Sequence, residues 1–175
     1  MNSPGRPPGE PRNTLPEGTP VTAGNNPLLG TWTLVRWEIG YGDGRPTTLP
    51  YGADASGFIL YTADGHMSAC IARAGRARLS SDSVRSAPAP ERLAAFESYF
   101  QYAGPYVLRR EPGLPTGMQV VHHVTMSLNP NFVGSEQVRN VEFDAARRLT
   151  LSASDTVPGS EVARHHRLTW QRVPA

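Results

Sequence analysis

From about Leu28 onward, apolar residues recur at every second position in short stretches broken by turn signals, and a single stretch carries helical spacing. Period-two alternation is the signature of a strand with one buried face. A chain patterned in this way is confined to an antiparallel sheet fold with little helix. Residues 30–39, GTWTLVRWEI, are rich in β-branched and aromatic residues, and the GYGDGRP that follows is turn material. GFILYT (57–62) and HMSACIA (66–72) flank Ala63-Asp64-Gly65, whose Asp-Gly step predicts a hairpin.

Residues 90–103, PERLAAFESYFQYA, open with Pro and Glu, as first helical turns prefer, and Leu93, Phe96 and Phe100 share a helical face. Gly104-Pro105 reads as the stop of that helix. Further strands are expected at about 105–110, 118–127, 136–144, 148–153 and 163–173. The polar turn inside FDAARRLTL predicts a hairpin of the strands at 136–144 and 148–153. About eight short strands with one helix suit a single antiparallel up-and-down β-barrel, which leaves no exposed edge. A sandwich of the same strands is the competing arrangement. Residues 1–27 hold seven of the seventeen prolines and few large apolar residues, so they read as a flexible tail, with the folded domain over 28–175. A lid made by this tail is a second reading.

Composition removes several function classes. All seventeen basic residues are arginine, which excludes a Schiff-base lysine, a lysine general base and a Walker A loop. The single cysteine, Cys70, excludes an internal disulfide and a cysteine metal cluster. A net charge of +2 gives no electrostatic case for nucleic acid or a membrane surface. No apolar run reaches the roughly 18–20 residues of a membrane span, and the N-terminus has no signal-type hydrophobic segment. A cytoplasmic location is the expectation. No glycine-rich phosphate loop, nucleophile elbow or metal-ligand spacing is present, so neither cofactor nor metal is expected. His165-His166 are adjacent and therefore face opposite sides of a strand. The sequence leaves the oligomeric state open.

The segment VVHHVTMSLNPNFVGSEQVRN (120–140) sets polar residues in phase with apolar ones. His122 falls in the series Met118, Val120, Val124, Met126; Gln137 and Arg139 fall in the series Val141, Phe143. In a barrel these residues point inward. His122 then reads as a hydrogen-bond donor or general acid/base, or as an interior histidine satisfied by neighbours. An interior guanidinium needs an anion, so Arg139 reads as a partner for a ligand carboxylate or enolate, or for an acidic side chain such as Glu38. Gln137 is placed to donate to the same ligand oxygen. Tyr61, Tyr102 and Tyr106, with Met118, Val120, Val124, Met126 and Val141, are the expected ligand-binding lining. Trp32 is expected at the closed end, with Arg167 or Arg172 stacked on it.

LLGTWTLVRWE, GFILYTADGHMSA, YAGPYVL, VVHHVTMSLNPNFVGSEQVR and RLTLS, in this order, together resemble the bacterial and fungal lipocalin-like domain family over about residues 28–173. Gly30-Thr31-Trp32 resembles the G-x-W signature of lipocalins. The resemblance implies a lipocalin-like barrel holding a small, mainly apolar molecule. It implies no single activity: members occur near secondary-metabolite pathways, and related barrels include cofactor-free cyclases and isomerases. The leading expectation is a cofactor-independent cyclase or isomerase acting on a polyketide-like or terpenoid-like substrate, with His122, Arg139 and Gln137 polarising a carbonyl. A non-catalytic binding or carrier protein is the alternative, and a structural module is a third.

Overall fold

The computed structural model describes residues 19–174. Its strands are β1 (Thr19–Pro20), β2 (Gly30–Tyr41), β3 (Ser56–Tyr61), β4 (His66–Ala72), β5 (Tyr99–Arg110), β6 (Met118–His123), β7 (Met126–Ser127), β8 (Glu136–Phe143), β9 (Leu149–Thr156) and β10 (Ala163–Arg172), with one α-helix, α1 (Ala89–Glu97). Strands β2, β3, β4, β5, β6, β8, β9 and β10 pair antiparallel with their neighbours in that order, and β10 returns to β2. The result is a closed eight-stranded up-and-down barrel. Strands β1 and β7 are short additions to β5. No helix among the described residues is long and apolar enough to cross a membrane.

Two one-residue irregularities decide which side chains face inward. In β2, Arg36 lies opposite Thr169 but Leu34 lies opposite Trp170, so Val35 is an extra residue and sits exposed. This bulge moves Trp37 and Ile39 to the inner face. Glu38 therefore points outward and pairs with Arg36 at 2.7 Å. It is not an interior partner for Arg139. Between β5 and its neighbours, Tyr106 lies opposite His122 and Ala103 opposite Met126, so the two residues between them on β5 face three on the other side. The alternation that carries Met118, Val120, His122 and Val124 inward is reversed there, and Met126 emerges 66% exposed. Gly104 permits this crossing: a Cβ there would lie 2.0 Å from the His123 carbonyl oxygen.

The helix is shorter than helical spacing predicts. It ends at Glu97, with Ser98 capping, and 99–103 belong to β5, paired with β4 from Ala72 to Ser68. Phe100 and Tyr102 thus face the barrel interior, while Leu93 and Phe96 are 56% and 48% exposed. Aromatic residues next to an open strand edge favour the sheet over six more helical residues. Gly104-Pro105 lies within β5 rather than at a helix end.

One end of the barrel is filled. Leu28, Trp32, Leu149 and Trp170 are fully or almost fully buried there, and Trp32 Nε1 donates to the Leu28 carbonyl at 2.8 Å. Arg172 covers Trp32, with its guanidinium carbon 4.4 Å from the ring centroid, and donates to the carbonyls of Pro27 and Leu29 at 2.6 Å each. Of the expected pair of arginines, Arg172 makes this stack. The preceding segment also touches the barrel: the Val21 amide donates to Leu108 O at 2.8 Å, and Asn26 Nδ2 donates to Tyr106 Oη at 2.8 Å. Of the segment read as a tail, 1–18 lie outside the described residues.

Removing residues 1–18, which supply little apolar area, is expected to leave the thermal midpoint within a degree or two. Extending the deletion through 27 removes the contacts of Val21, Asn26 and Pro27. A loss of about 2 kcal/mol follows from a few hydrogen bonds and one partly buried side chain, equivalent to about 4–8 °C in a domain of this size. Calorimetry on the two truncations checks both expectations.

Candidate functional site

The half of the barrel away from Trp32 is hollow. A cavity of about 570 Å³ opens among Trp37, Phe100, Phe132, Ile71, Leu151 and Leu168. Trp37 is held flat by Tyr51, with centroids 5.2 Å apart and planes 16° from parallel, and Phe100 is tilted against it at 5.8 Å. These walls are apolar and stiff, as ligand pockets generally are. Polar groups enter from three strands: Gln137 and Arg139 from β8, Asp155 from β9, and Arg164 and His166 from β10.

Arg139 donates from Nη2 to Gln137 Oε1 at 3.0 Å and from Nη1 to the Val138 carbonyl at 2.7 Å. Gln137 Nε2 in turn donates to Ser135 Oγ at 3.0 Å. The amide of Gln137 is therefore committed on both sides, and it braces Arg139 in place of donating to a ligand. Among the described residues no carboxylate forms an ion pair with Arg139. A guanidinium at the wall of an apolar cavity, braced by neutral groups alone, keeps its charge available to an anion.

On the next two strands of the same wall, Asp155 binds Arg164 in a two-point pair, with Nε–Oδ1 2.8 Å and Nη2–Oδ2 2.5 Å. Those hydrogen bonds hold the Asp155 carboxyl below its usual range. His166 Nε2 lies 3.4 Å from Asp155 Oδ1, at ion-pair distance but without the alignment of a hydrogen bond. Burial lowers the basicity of His166, against the opposing pull of Asp155, and favours the neutral imidazole. Three buried side-chain nitrogens have no protein acceptor among the described residues: Trp37 Nε1, Trp170 Nε1 and His166 Nε2. All three residues line this cavity. An unmatched buried donor costs about 1–3 kcal/mol, so the two indole N–H groups mark a place where acceptor oxygens are favoured, while His166 Nε2 donates or accepts according to its tautomer.

His122 is 0% exposed and lies outside the cavity lining. Its Nε2 is 2.8 Å from Tyr61 Oη and its Nδ1 is 2.8 Å from Tyr102 Oη. Burial, the Arg139 charge and His123 push its pKa down to about 3. Burial raises both tyrosines, Tyr61 strongly. Of the three, only Tyr102 reaches the cavity. His122 and Arg139 therefore do not meet in a shared space; Tyr102 stands between the imidazole and the hollow half.

Most of the expected lining sits elsewhere. Val120, Val124 and Val141 are buried in the packed core, Met118 packs against it, and Met126 is outside. Tyr106 donates to the Thr62 carbonyl at 3.1 Å and stacks edge-on with Tyr61 at 4.9 Å, away from the cavity. The residues that sequence reasoning missed are Trp37, Asp155, Arg164, His166 and Trp170. The signal for four of them was the one used at His122: Arg164 and His166 run in phase with Leu168 and Trp170, and Asp155 with Leu149, Leu151 and Ala153.

The model of the lipocalin-like domain family matches residues 29–173. No curated protein matches the chain.

The depressed pKa of His122 has a consequence for stability. A histidine whose folded pKa lies below its unfolded value contributes stability that is complete above about pH 6.5 and is lost as pH falls through the window toward 3. Urea denaturation between pH 6 and 4 is expected to show His122 removing up to about 1.4 kcal/mol per pH unit. His122→Gln, which cannot titrate, is expected to flatten that slope. An unchanged slope contradicts the assignment.

Proposed function

The chain belongs to the lipocalin-like domain family, and we propose that its barrel binds a small, largely apolar molecule with an oxygen-bearing head and acts on it as a cofactor-independent isomerase or cyclase. The substrate class favoured is polyketide-like: a carbon skeleton rich in carbonyl groups. A barrel of this family suits a small hydrophobic ligand. The observation that carries the reading is the convergence of Arg139 and three unmatched N–H or imidazole nitrogens on one otherwise apolar cavity.

The chemistry follows from the charges. A carbonyl oxygen set toward Arg139 is polarised, and the adjacent C–H becomes more acidic. Neutral His166, with Asp155 beside it, accepts that proton, and the C–H electron pair moves onto the oxygen as an enolate. In an isomerisation the imidazolium returns the proton to another carbon of the same conjugated system. In a cyclisation the enolate carbon bonds to a second carbonyl carbon of the same molecule, and the imidazolium proton goes to the new alkoxide. Neither course consumes an oxidant or a second reactant. The stiff aromatic walls contribute by holding one folded conformation of a flexible chain. This places the acid/base role on His166 in place of His122, with Arg139 as the charge partner and Gln137 as its brace.

A carrier is the second reading. It is favoured by the sealing of His122 from the cavity, which removes one expected proton donor.

Two measurements decide. For binding, 8-anilinonaphthalene-1-sulfonate and N-phenyl-1-naphthylamine share an apolar body and differ by the sulfonate. Arg139→Met is expected to weaken the anion at least tenfold, about 1.4 kcal/mol, while the neutral amine and the unfolding midpoint stay nearly unchanged. Equal weakening of both probes, or a loss of several kcal/mol of stability, contradicts an anion-binding role. For catalysis, 2-acetylnaphthalene in D₂O is expected to gain deuterium at its methyl carbon faster with the protein than without, and His166→Gln is expected to abolish the difference. Binding without exchange supports the carrier.

A further inference from the structure

The buried group Tyr61–His122–Tyr102 plays no part in the proton transfer above. Its hydrogen-bond arithmetic nevertheless has one solution. A neutral imidazole offers one N–H and one lone pair. With a tyrosine oxygen 2.8 Å from each ring nitrogen, one tyrosine donates to the ring and the other accepts from it. The tyrosine that accepts keeps its own O–H hydrogen, which must find an acceptor elsewhere.

The two tyrosines differ in what lies around them. Tyr61 is 2% exposed, lies against Tyr106 and opposite Met67, and does not line the cavity. Its hydroxyl has no hydrogen-bond partner among the described residues besides His122. If Tyr61 accepted, its hydrogen would be left in the core with nowhere to go. Tyr102 borders the cavity, and its hydroxyl also has no other protein partner among the described residues. A leftover hydrogen there has open space and a place for a ligand.

We infer that Tyr61 donates to His122 Nε2, that His122 Nδ1–H donates to Tyr102 Oη, and that the Tyr102 hydroxyl hydrogen is thereby aimed into the cavity, as the donor to a carbonyl or enolate oxygen of the ligand. This rests on the preceding reading that the cavity takes such a ligand, and it adds a second contact to the oxygen end. His122 and Tyr102 each accept one hydrogen bond and donate another, so each of those donations is strengthened by the bond before it. The arrangement is fixed in one sense: His122 stays neutral down to a pKa of about 3, so near neutral pH it does not protonate and reverse the chain. Tyr102 is a binding residue here. Tyr61 and His122 are positioning residues that never touch the ligand. Both Tyr102 and Arg139 line the cavity, and the Arg139 charge opposes the rise that burial gives the Tyr102 hydroxyl.

The full chain labelled with ¹⁵N at histidine tests the direction without any ligand. The His122 resonances are expected to show Nδ1 protonated and Nε2 unprotonated at pH 7. The reverse tautomer overturns the inference. With 2-acetylnaphthalene bound, the carbonyl stretching band is expected at lower frequency in the wild type than in Tyr102→Phe. Tyr61→Phe, which removes no ligand contact, is expected to fall between them, because the bias that turns the Tyr102 hydrogen outward is gone. A band at the same frequency in wild type and Tyr102→Phe overturns the donor role. A Tyr61→Phe band equal to wild type overturns the role of Tyr61 in setting the direction. If the ketone does not bind at all while the Nδ1–H tautomer is found, the ligand reading of the preceding section falls and the hydroxyl's direction stands.

Discussion

The pairing of β10 with both β9 and β2 closes the sheet, and the rest of the molecule answers to that closure. A closed barrel has a fixed perimeter, and every second residue of every strand points into it. Each inward side chain must be packed, hydrogen-bonded inside, or left facing a cavity. The protein uses all three options, in order along the barrel axis. Trp32, Leu149 and Trp170 pack the end capped by Arg172. At the next level the two tyrosine hydroxyls satisfy both ring nitrogens of His122. Beyond it the inward residues are too few or too short to meet, and the space stays open.

Much of this was legible in the sequence because alternation encodes inside and outside directly. The strands and the inward aim of His122, Gln137 and Arg139 follow from period two, and the single helix follows from the one stretch with helical spacing. Alternation fails where a residue is inserted. The extra Val35 turned Glu38 outward and brought Trp37 in; the extra residue opposite Gly104 turned Met126 out. Neither bulge has a sequence signal stronger than the glycine at 104, and that glycine was claimed by the competing reading of a helix stop. The helix itself was overrun for a related reason. Leu93, Phe96 and Phe100 have helical spacing, but Phe100 and Tyr102 gain more by completing β5 beside β4 than by extending a surface helix.

Alternation also carries no information about depth. It places Val120, Val141 and Leu151 inside without saying which of them meets a partner across the barrel and which meets empty space. That is set by the sizes of the side chains on the opposite wall, contributed by strands far away in sequence. Val120 and Val141 are in the packed half, and Leu151 lines the cavity. His166 was passed over for the same reason. Beside His165 it read only as one of two histidines on opposite faces of a strand, and its proximity to Asp155 depends on the register of β9 with β10, which puts Asp155 opposite Arg164.

The boundary between the filled and hollow halves is where polar chemistry is least costly to install. A polar group deep in the packed half must be fully satisfied by protein, as His122 is by two hydroxyls. At the open rim water competes with any ligand for the same group. At the boundary, a group can be held from below by the packed half and still present one unsatisfied atom to the cavity. Tyr102 and Trp170 both sit there, each with its ring buried; the Trp170 N–H has no protein partner, and the direction inferred for the tyrosine–histidine group leaves Tyr102 a free hydroxyl hydrogen as well. Arg139 follows the same rule with a brace beside it rather than beneath it. A rigid support on one side and an unmatched donor on the other is the preorganisation that binding of an oxygen atom requires, since neither rotamer freedom nor a hydration shell has to be given up when the ligand arrives. The residues that fix the donors are then as important to function as the donors themselves, although they lie in what is, by burial alone, ordinary core.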